Sequence, residues 1–106
     1  MSYDKVTIKT STKPEKKLMA IFTKKDSNRS KTVHFGAKNM DDYTKTKDKE
    51  QRARYRSRHK KDLKTGDPTR AGFLSWYILW GDSTSRRENI ASYLLNFEVV
   101  LLYMFS

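Results

Sequence analysis

The side chains with the greatest chemical reach lie between Lys45 and Lys64, in the run KTKDKEQRARYRSRHKKDLK. Ten of these twenty residues are Lys or Arg, against three acids, Asp48, Glu50 and Asp62. The surplus of +7 is most of the +11 carried by the whole chain. Guanidinium and ammonium groups at that density hold phosphates or carboxylates. Arg52, Arg54, Arg56, Arg58, His59, Lys60 and Lys61 are therefore the candidate anion-binding residues, fanned around a helix so that they can track a polyanion. Such contacts position a partner and carry no sequence preference. Lys24, Lys25 and Arg29, with Lys31 and only Asp26 to balance them, form a second basic projection upstream. The alternative is a solvated charged face, but the acids inside the run offset only three of its ten cations.

Other chemistry finds little material. There is no cysteine, hence no disulfide, no thiolate nucleophile and no thiolate-ligated zinc. The two histidines, His34 and His59, stand in none of the spacings that hold a catalytic metal. His59 lies among cations and suits a structural or phosphate contact, while His34, in a strand, suits a hydrogen bond. Asp41 and Asp42 are adjacent and could hold Mg²⁺, although a helix-start cap is the simpler role. No glycine spacing matches a phosphate-binding loop. Trp76, Tyr77 and Trp80 could stack bases, but aromatics packed among Leu and Ile are the composition of a core. No enzyme activity, cofactor, metal or small-molecule substrate is expected. A nuclease-like enzyme would need an acidic or His/Asp centre that these residues do not assemble.

The elements that must position the cations follow from patterning. With 106 residues, one domain with a modest core is expected. Apolar residues concentrate at 18–23, 33–35, 73–80 and 90–105. Leu18 to Thr23 and Thr32 to Phe35 have strand length and enclose turn chemistry at Asp26 to Ser30, which predicts a β-hairpin. Val6 and Ile8, two apart among β-branched residues, offer a third strand. A helix is predicted from about 46 to 63, supported by Asp48/Arg52 and Glu50/Arg54 four residues apart, with Tyr55 and His59 on the face that packs. Gly66 stops it, and Asp67-Pro68 restarts a helix to residue 80 that is apolar nearly all round. Ser83 or Ser85 caps a last helix to Phe97, with Glu88 in capping-box spacing from Ser85. The fold class is α+β: an N-terminal hairpin, or three strands, packed with three helices.

Residues 1–17 read as a polar extension, 18–97 as one basic domain, and 98–106 as an apolar tail that either completes the core or docks on a partner. No secretory leader and no membrane span are expected. The partners expected from charge are nucleic-acid phosphates or acidic protein surfaces.

Thr32-Val33-His34-Phe35-Gly36-Ala37, Asp42-Tyr43-Thr44, the basic Tyr55-x-x-Arg58-His59-Lys60-Lys61, Asp67-Pro68, Ala71-Gly72-Phe73, Ser75 and Leu79-Trp80-Gly81 come in a specific order and spacing. Over residues 18–97 the chain resembles a family of small basic proteins of unknown function encoded by large nucleocytoplasmic double-stranded DNA viruses of algae and amoebae. The resemblance implies a viral origin and a place in the virion, or in the host cytoplasm and viral factory. It implies no established activity. A minor capsid or genome-associated component, binding nucleic acid or acidic viral structural proteins, is the leading expectation, and a non-virion nucleic-acid-binding protein is the alternative. The chain departs from the pattern at both ends, in its first 17 residues and in the tail EVVLLYMFS.

Overall fold

The structure, a computed structural model, describes residues 3–24, 27 and 29–105, with side chains followed as far as Phe97. Three antiparallel strands come first, β1 (Lys5–Thr10), β2 (Lys16–Thr23) and β3 (Ser30–Ala37), in the order β1-β2-β3. Alternation decides which face is buried: Leu18, Ala20 and Phe22 of β2 lie in the core while the residues between them are only partly covered. The register sets Val6 opposite Phe22 and Leu18 opposite Phe35, so the buried positions of all three strands share one face. The N-terminal segment expected as a polar extension is therefore built into the sheet, with Lys5 to Thr10 paired along β2 and Val6 in the core.

Among the described residues five helices follow: α1 (Tyr43–Thr46), α2 (Lys49–Arg58), α3 (Lys60–Lys64), α4 (Ala71–Ile78) and α5 (Arg86–Phe105). The single helix expected over 46–63 is divided into pieces, and each division has a local cause. Asp42 caps α1, its Oδ1 accepting the Lys45 N–H at 3.2 Å. Lys47 then turns left-handed, at φ 59°, and frees Asp48 to cap a new helix. Oδ1 of Asp48 accepts the N–H groups of Glu50 and Gln51 at 3.0 and 3.1 Å. His59, at φ −109° and ψ 16°, separates α2 from α3. The Asp67-Pro68 restart also differs from expectation. Asp67 Oδ1 accepts from the N–H and hydroxyl of Thr69, at 2.9 and 2.6 Å, which closes a turn and delays α4 to Ala71. Ser85 does accept the Glu88 N–H at 3.3 Å, as a cap should, and α5 continues to Phe105 as helix. Whether the apolar tail completes the core is a matter of side chains outside the described ones.

The helices lie against the buried face of the sheet. Leu74 and Ile78 of α4 and Tyr93 of α5 are fully buried, and the Phe22 and Phe97 rings meet at 5.9 Å. Tyr93 also donates its hydroxyl to the Pro68 carbonyl at 2.6 Å, tying α5 to the turn before α4. Trp76 and Trp80 belong to this core, each 8% exposed. The turn after α4 admits nothing larger than glycine at position 81, where a Cβ would lie 2.1 Å from the Tyr77 carbonyl oxygen. The molecule is an α+β fold with an N-terminal sheet, and among the described residues no helix is long and apolar enough to cross a membrane.

Candidate functional site

None of the residues of α2 is fully buried. The helix is fastened by two arginines and one ring. Nε of Arg52 donates to the Gly81 carbonyl at 2.7 Å, and its Nη2 to Oδ1 of Asp82 at 2.6 Å. Its guanidinium also lies 5.4 Å from the centre of the Tyr43 ring. One turn on, Nε of Arg56 donates to the Trp80 carbonyl at 3.0 Å and its Nη2 reaches the same Asp82 oxygen at 3.4 Å, over the Trp76 ring at 5.0 Å. Burial and the charge of Arg52 lower the pKa of Arg56, and Asp82 offsets part of that. Between the two arginines, Tyr55 stacks on Trp80, ring centres 4.3 Å apart and planes 7° apart. His59 stacks in turn on Tyr55 at 4.1 Å. The Tyr55/His59 face expected to pack on the body is the face that does so.

The turn that receives these arginines is held by Asn89, 2% exposed. Its Nδ2 donates to the carbonyls of Ile78 and Ser83 at 3.0 and 2.8 Å, and its Oδ1 accepts the Ser83 N–H at 3.0 Å. The carbonyls of Trp80 and Gly81 are thereby left pointing at α2. Neither Asn89 nor Asp82 stands out in the sequence, because two of the three acceptors that meet the arginines are backbone oxygens.

Successive residues of a helix turn by about 100°, so Arg54 and Arg58 lie on the side away from Arg52 and Arg56. Both are exposed, as are Lys60 and Lys61, and among the described residues none of the four has a side-chain partner. The ion pairs expected at Asp48/Arg52 and Glu50/Arg54 do not close. Asp48 is committed to its cap and Arg52 to Asp82. The candidates thus divide into two structural arginines, a half-exposed histidine and four outward cations.

Of the basic hairpin, Lys31 is tied to the body of the domain. Nζ of Lys31 donates to the Thr69 hydroxyl at 3.1 Å, placing the start of β3 against the turn before α4. The Asp62 carboxyl of α3 packs at Gly72, where a Cβ would fall 2.7 Å from Cγ. Both β3 and α3 therefore abut the beginning of α4. Arg29 is exposed, Lys24 is half-buried, and Lys25 lies outside the described residues.

Of the remaining candidates, His34 shares a hydrogen bond with the Ser11 hydroxyl at 2.7 Å, as a strand histidine was expected to do. Asp42, 1% exposed, is a charge hub. It pairs with Lys17 at 2.5 Å and Arg86 at 3.2 Å and accepts the Thr44 hydroxyl. Burial acts to raise its pKa, but the bonds from Lys17 and Thr44 and the charges of Lys17 and Arg86 outweigh it and hold the carboxyl below the usual range. Among the described residues no three His, Cys, Asp or Glu side chains are grouped to hold a metal ion.

A second basic feature was not legible in the sequence. Lys13, Lys16, Lys17, Lys38 and Arg86 line a shallow depression of about 290 Å³ that contains no carboxylate. They come from the β1–β2 turn, β2, the segment after β3 and α5, so no local charge run announces them.

No curated protein and no solved structure matches the chain. Residues 6–59 match a family of unknown function, DUF5754. The matched span runs from β1 to the histidine that ends α2, so it takes in strand β1 and stops short of Ala71-Gly72-Phe73 and Leu79-Trp80-Gly81. It covers just over half of the 106 residues, and the chain belongs to that family.

Proposed function

We propose that the protein is a small, non-catalytic, basic structural component of a large DNA virus particle that holds nucleic-acid phosphates through Arg54, Arg58, Lys60 and Lys61. The observation that carries the binding reading is the unequal treatment of the cations. Arg52 and Arg56 are met by Asp82 and two carbonyls of their own chain, whereas the four outward cations are met by nothing among the described residues. Four unpartnered charges on consecutive turns suit a line of phosphates, which recur every 3.4 Å or so along one strand. The viral setting is supported by the resemblance in the His34-Phe35-Gly36-Ala37 to Leu79-Trp80-Gly81 pattern alone. The same chemistry exercised outside the particle, in the viral factory, is the second reading, and it differs only in location.

The test is a salt titration of duplex DNA binding by fluorescence anisotropy, with the intact chain and with Arg54→Glu/Arg58→Glu/Lys60→Glu/Lys61→Glu. Each lost phosphate contact lowers the slope of log K against log salt by about 0.9, so the fourfold variant loses about 3 to 4 units of slope. Unchanged affinity and slope would refute phosphate binding by this surface and turn attention to acidic proteins. Recovery of the protein from purified particles at fixed copy number separates the virion reading from the factory one.

A further inference from the structure

We propose that the cleft beside α2 receives one unpaired nucleotide, its base stacked on His59 while the strand's phosphates pass Arg58, Lys60 and Lys61. This rests on the phosphate-binding reading above and narrows its partner to single-stranded nucleic acid. Three observations converge on it. The first is the column of rings Trp80, Tyr55 and His59, spaced 4.3 and 4.1 Å and inclined by only 7° and 21°. The inner end of the column is in the core, and the outer end is His59, whose side chain is 39% exposed. Tyr55 covers one face of the imidazole, and Nδ1 is held 3.1 Å from Oδ2 of Asp62. The ring is thus fixed in orientation before any ligand arrives, which spares the ordering cost that a mobile side chain would incur on binding.

The second observation is the space beside the column. A cleft of about 480 Å³ opens between α2 and the segment joining β3 to α1, with Gln51, Tyr55, Arg58 and His59 on one side and Asn39 and Asp41 among its other walls. That volume lies in the range of sites for small molecules. Oε1 of Gln51 accepts the Thr46 hydroxyl at 2.8 Å, which leaves its amide N–H groups to donate to a base edge. The third is the placement of charge. Arg58 lines the cleft, is exposed and has no partner among the described residues, and Lys60 and Lys61 follow directly beyond His59. A stacking face bordered by cations is the arrangement by which single strands are held without sequence preference. A duplex keeps its base faces inside the helix and can offer the same surface only its phosphates.

The test uses the intact chain, a 12-nucleotide single strand carrying 2-aminopurine, and a duplex of equal length. His59→Ala is expected to weaken the single strand about thirtyfold, the middle of the range for one base–aromatic stack. It should abolish the fluorescence change of bound 2-aminopurine and leave duplex affinity within about twofold, which also reports that the variant is folded. His59→Phe, which keeps a flat ring, should restore single-strand affinity. Equal affinity of His59→Ala and the unaltered chain for the single strand, with both oligonucleotides still weakened by charge reversal at Arg58, Lys60 and Lys61, would overturn the stacking site and leave phosphate binding standing. An unaltered protein that binds the strand with no 2-aminopurine response would overturn it equally. Failure to bind either oligonucleotide would remove the phosphate-binding reading and this one together.

Discussion

Arg56→Ala is expected to unfold the protein more readily, whereas Arg54→Ala, two residues away on the same helix, is not. The magnitude follows from what each guanidinium touches. Arg56 gives one charge-assisted bond to the Trp80 carbonyl, a bond of about 1.5–3 kcal/mol when made by a charged group. It lies over the Trp76 ring, a contact of about 0.5–1 kcal/mol. Its longer approach to Asp82 adds little, since that carboxylate is 89% exposed and screened by water. Because these terms overlap, a loss of about 2 kcal/mol is the central expectation, and in a domain of this size that lowers Tm by about 8–16 °C. Arg54 touches none of these groups, and a surface substitution of its kind stays within about 0.5 kcal/mol. Urea unfolding followed by tryptophan fluorescence is the natural assay, because Trp76 and Trp80 lie under the arginine anchors. Equal unfolding midpoints for the two variants would refute the division of this helix into fastening and outward cations. The assignment of Arg54 and Arg58 to a partner would fall with it.

Three further outcomes test the frame that holds the helix. Asp42 has a depressed pKa in the folded state, so its contribution is present above its ordinary value of 3.8 and is lost as pH falls through the folded one. Stability should therefore decline below about pH 4, and Asp42→Asn should cost about 3 kcal/mol near neutrality by leaving Lys17 and Arg86 without a counter-charge. A variant with the acid sensitivity of the parent would refute the hub, apart from the part due to Asp67, whose carboxyl is likewise held low against burial by its bonds from Thr69. At the other extreme, burial and then the Asp62 charge push the Tyr55 phenol up to about 12 from 10.0. A raised value contributes stability that is lost as pH climbs through it, so unfolding should set in between pH 10 and 12, and ultraviolet titration should show the phenols of Tyr55 and of Tyr93, likewise raised by burial, ionising only with that transition. Gly81→Ala sets a methyl against the Tyr77 carbonyl oxygen, and a loss of about 2 kcal/mol in thermal unfolding is expected, with a neutral result counting against the tight turn.

Much of the framework was legible because it depends on local pattern. Leu18, Ala20 and Phe22 alternate, Asp26 to Ser30 is turn chemistry, and the run from Phe73 to Trp80 is too apolar to lie anywhere but inside. Tyr55 was legible as the packing residue because it is the only ring before His59 in a charged run. What could not be read depends on choices between competing uses of one group. Asp48 is spaced to pair with Arg52, but one of its oxygens satisfies two amide N–H groups at the start of α2, and that local use prevails. Arg52 and Arg56 look the same as Arg54 and Arg58 in sequence. Their acceptors are carbonyls and a carboxylate 24 to 30 residues downstream, and a carbonyl has no sequence signature. Strand β1 was faint for another reason: Val6 and Ile8 are its only apolar residues, and pairing along β2 supplies what burial does not.

The attachment of α2 explains how so small a domain keeps so much charge outside. An amphipathic helix would ordinarily devote a stripe of Leu and Ile to the core, and α2 has none. Its inward face is made instead from arginine stems and one tyrosine, with the guanidinium heads ending on oxygens and ring faces. Arginine suits this use because its charge is permanent and its donors form a rigid fork, whereas lysine would offer one compact, strongly hydrated charge. A helix fastened this way can be cationic on every side. The inner arginines end on two carbonyls and one carboxylate of the chain itself, and the outer ones face away from them. The same design would make fastening and the proposed binding share a dependence on salt, since ions that would screen Arg54 and Arg58 from phosphate also screen Arg52 from Asp82. The two are separable, because the bonds to the Trp80 and Gly81 carbonyls are buried in part and persist where the exposed carboxylate no longer helps. Salt should release a bound polyanion well before it loosens the helix that holds it.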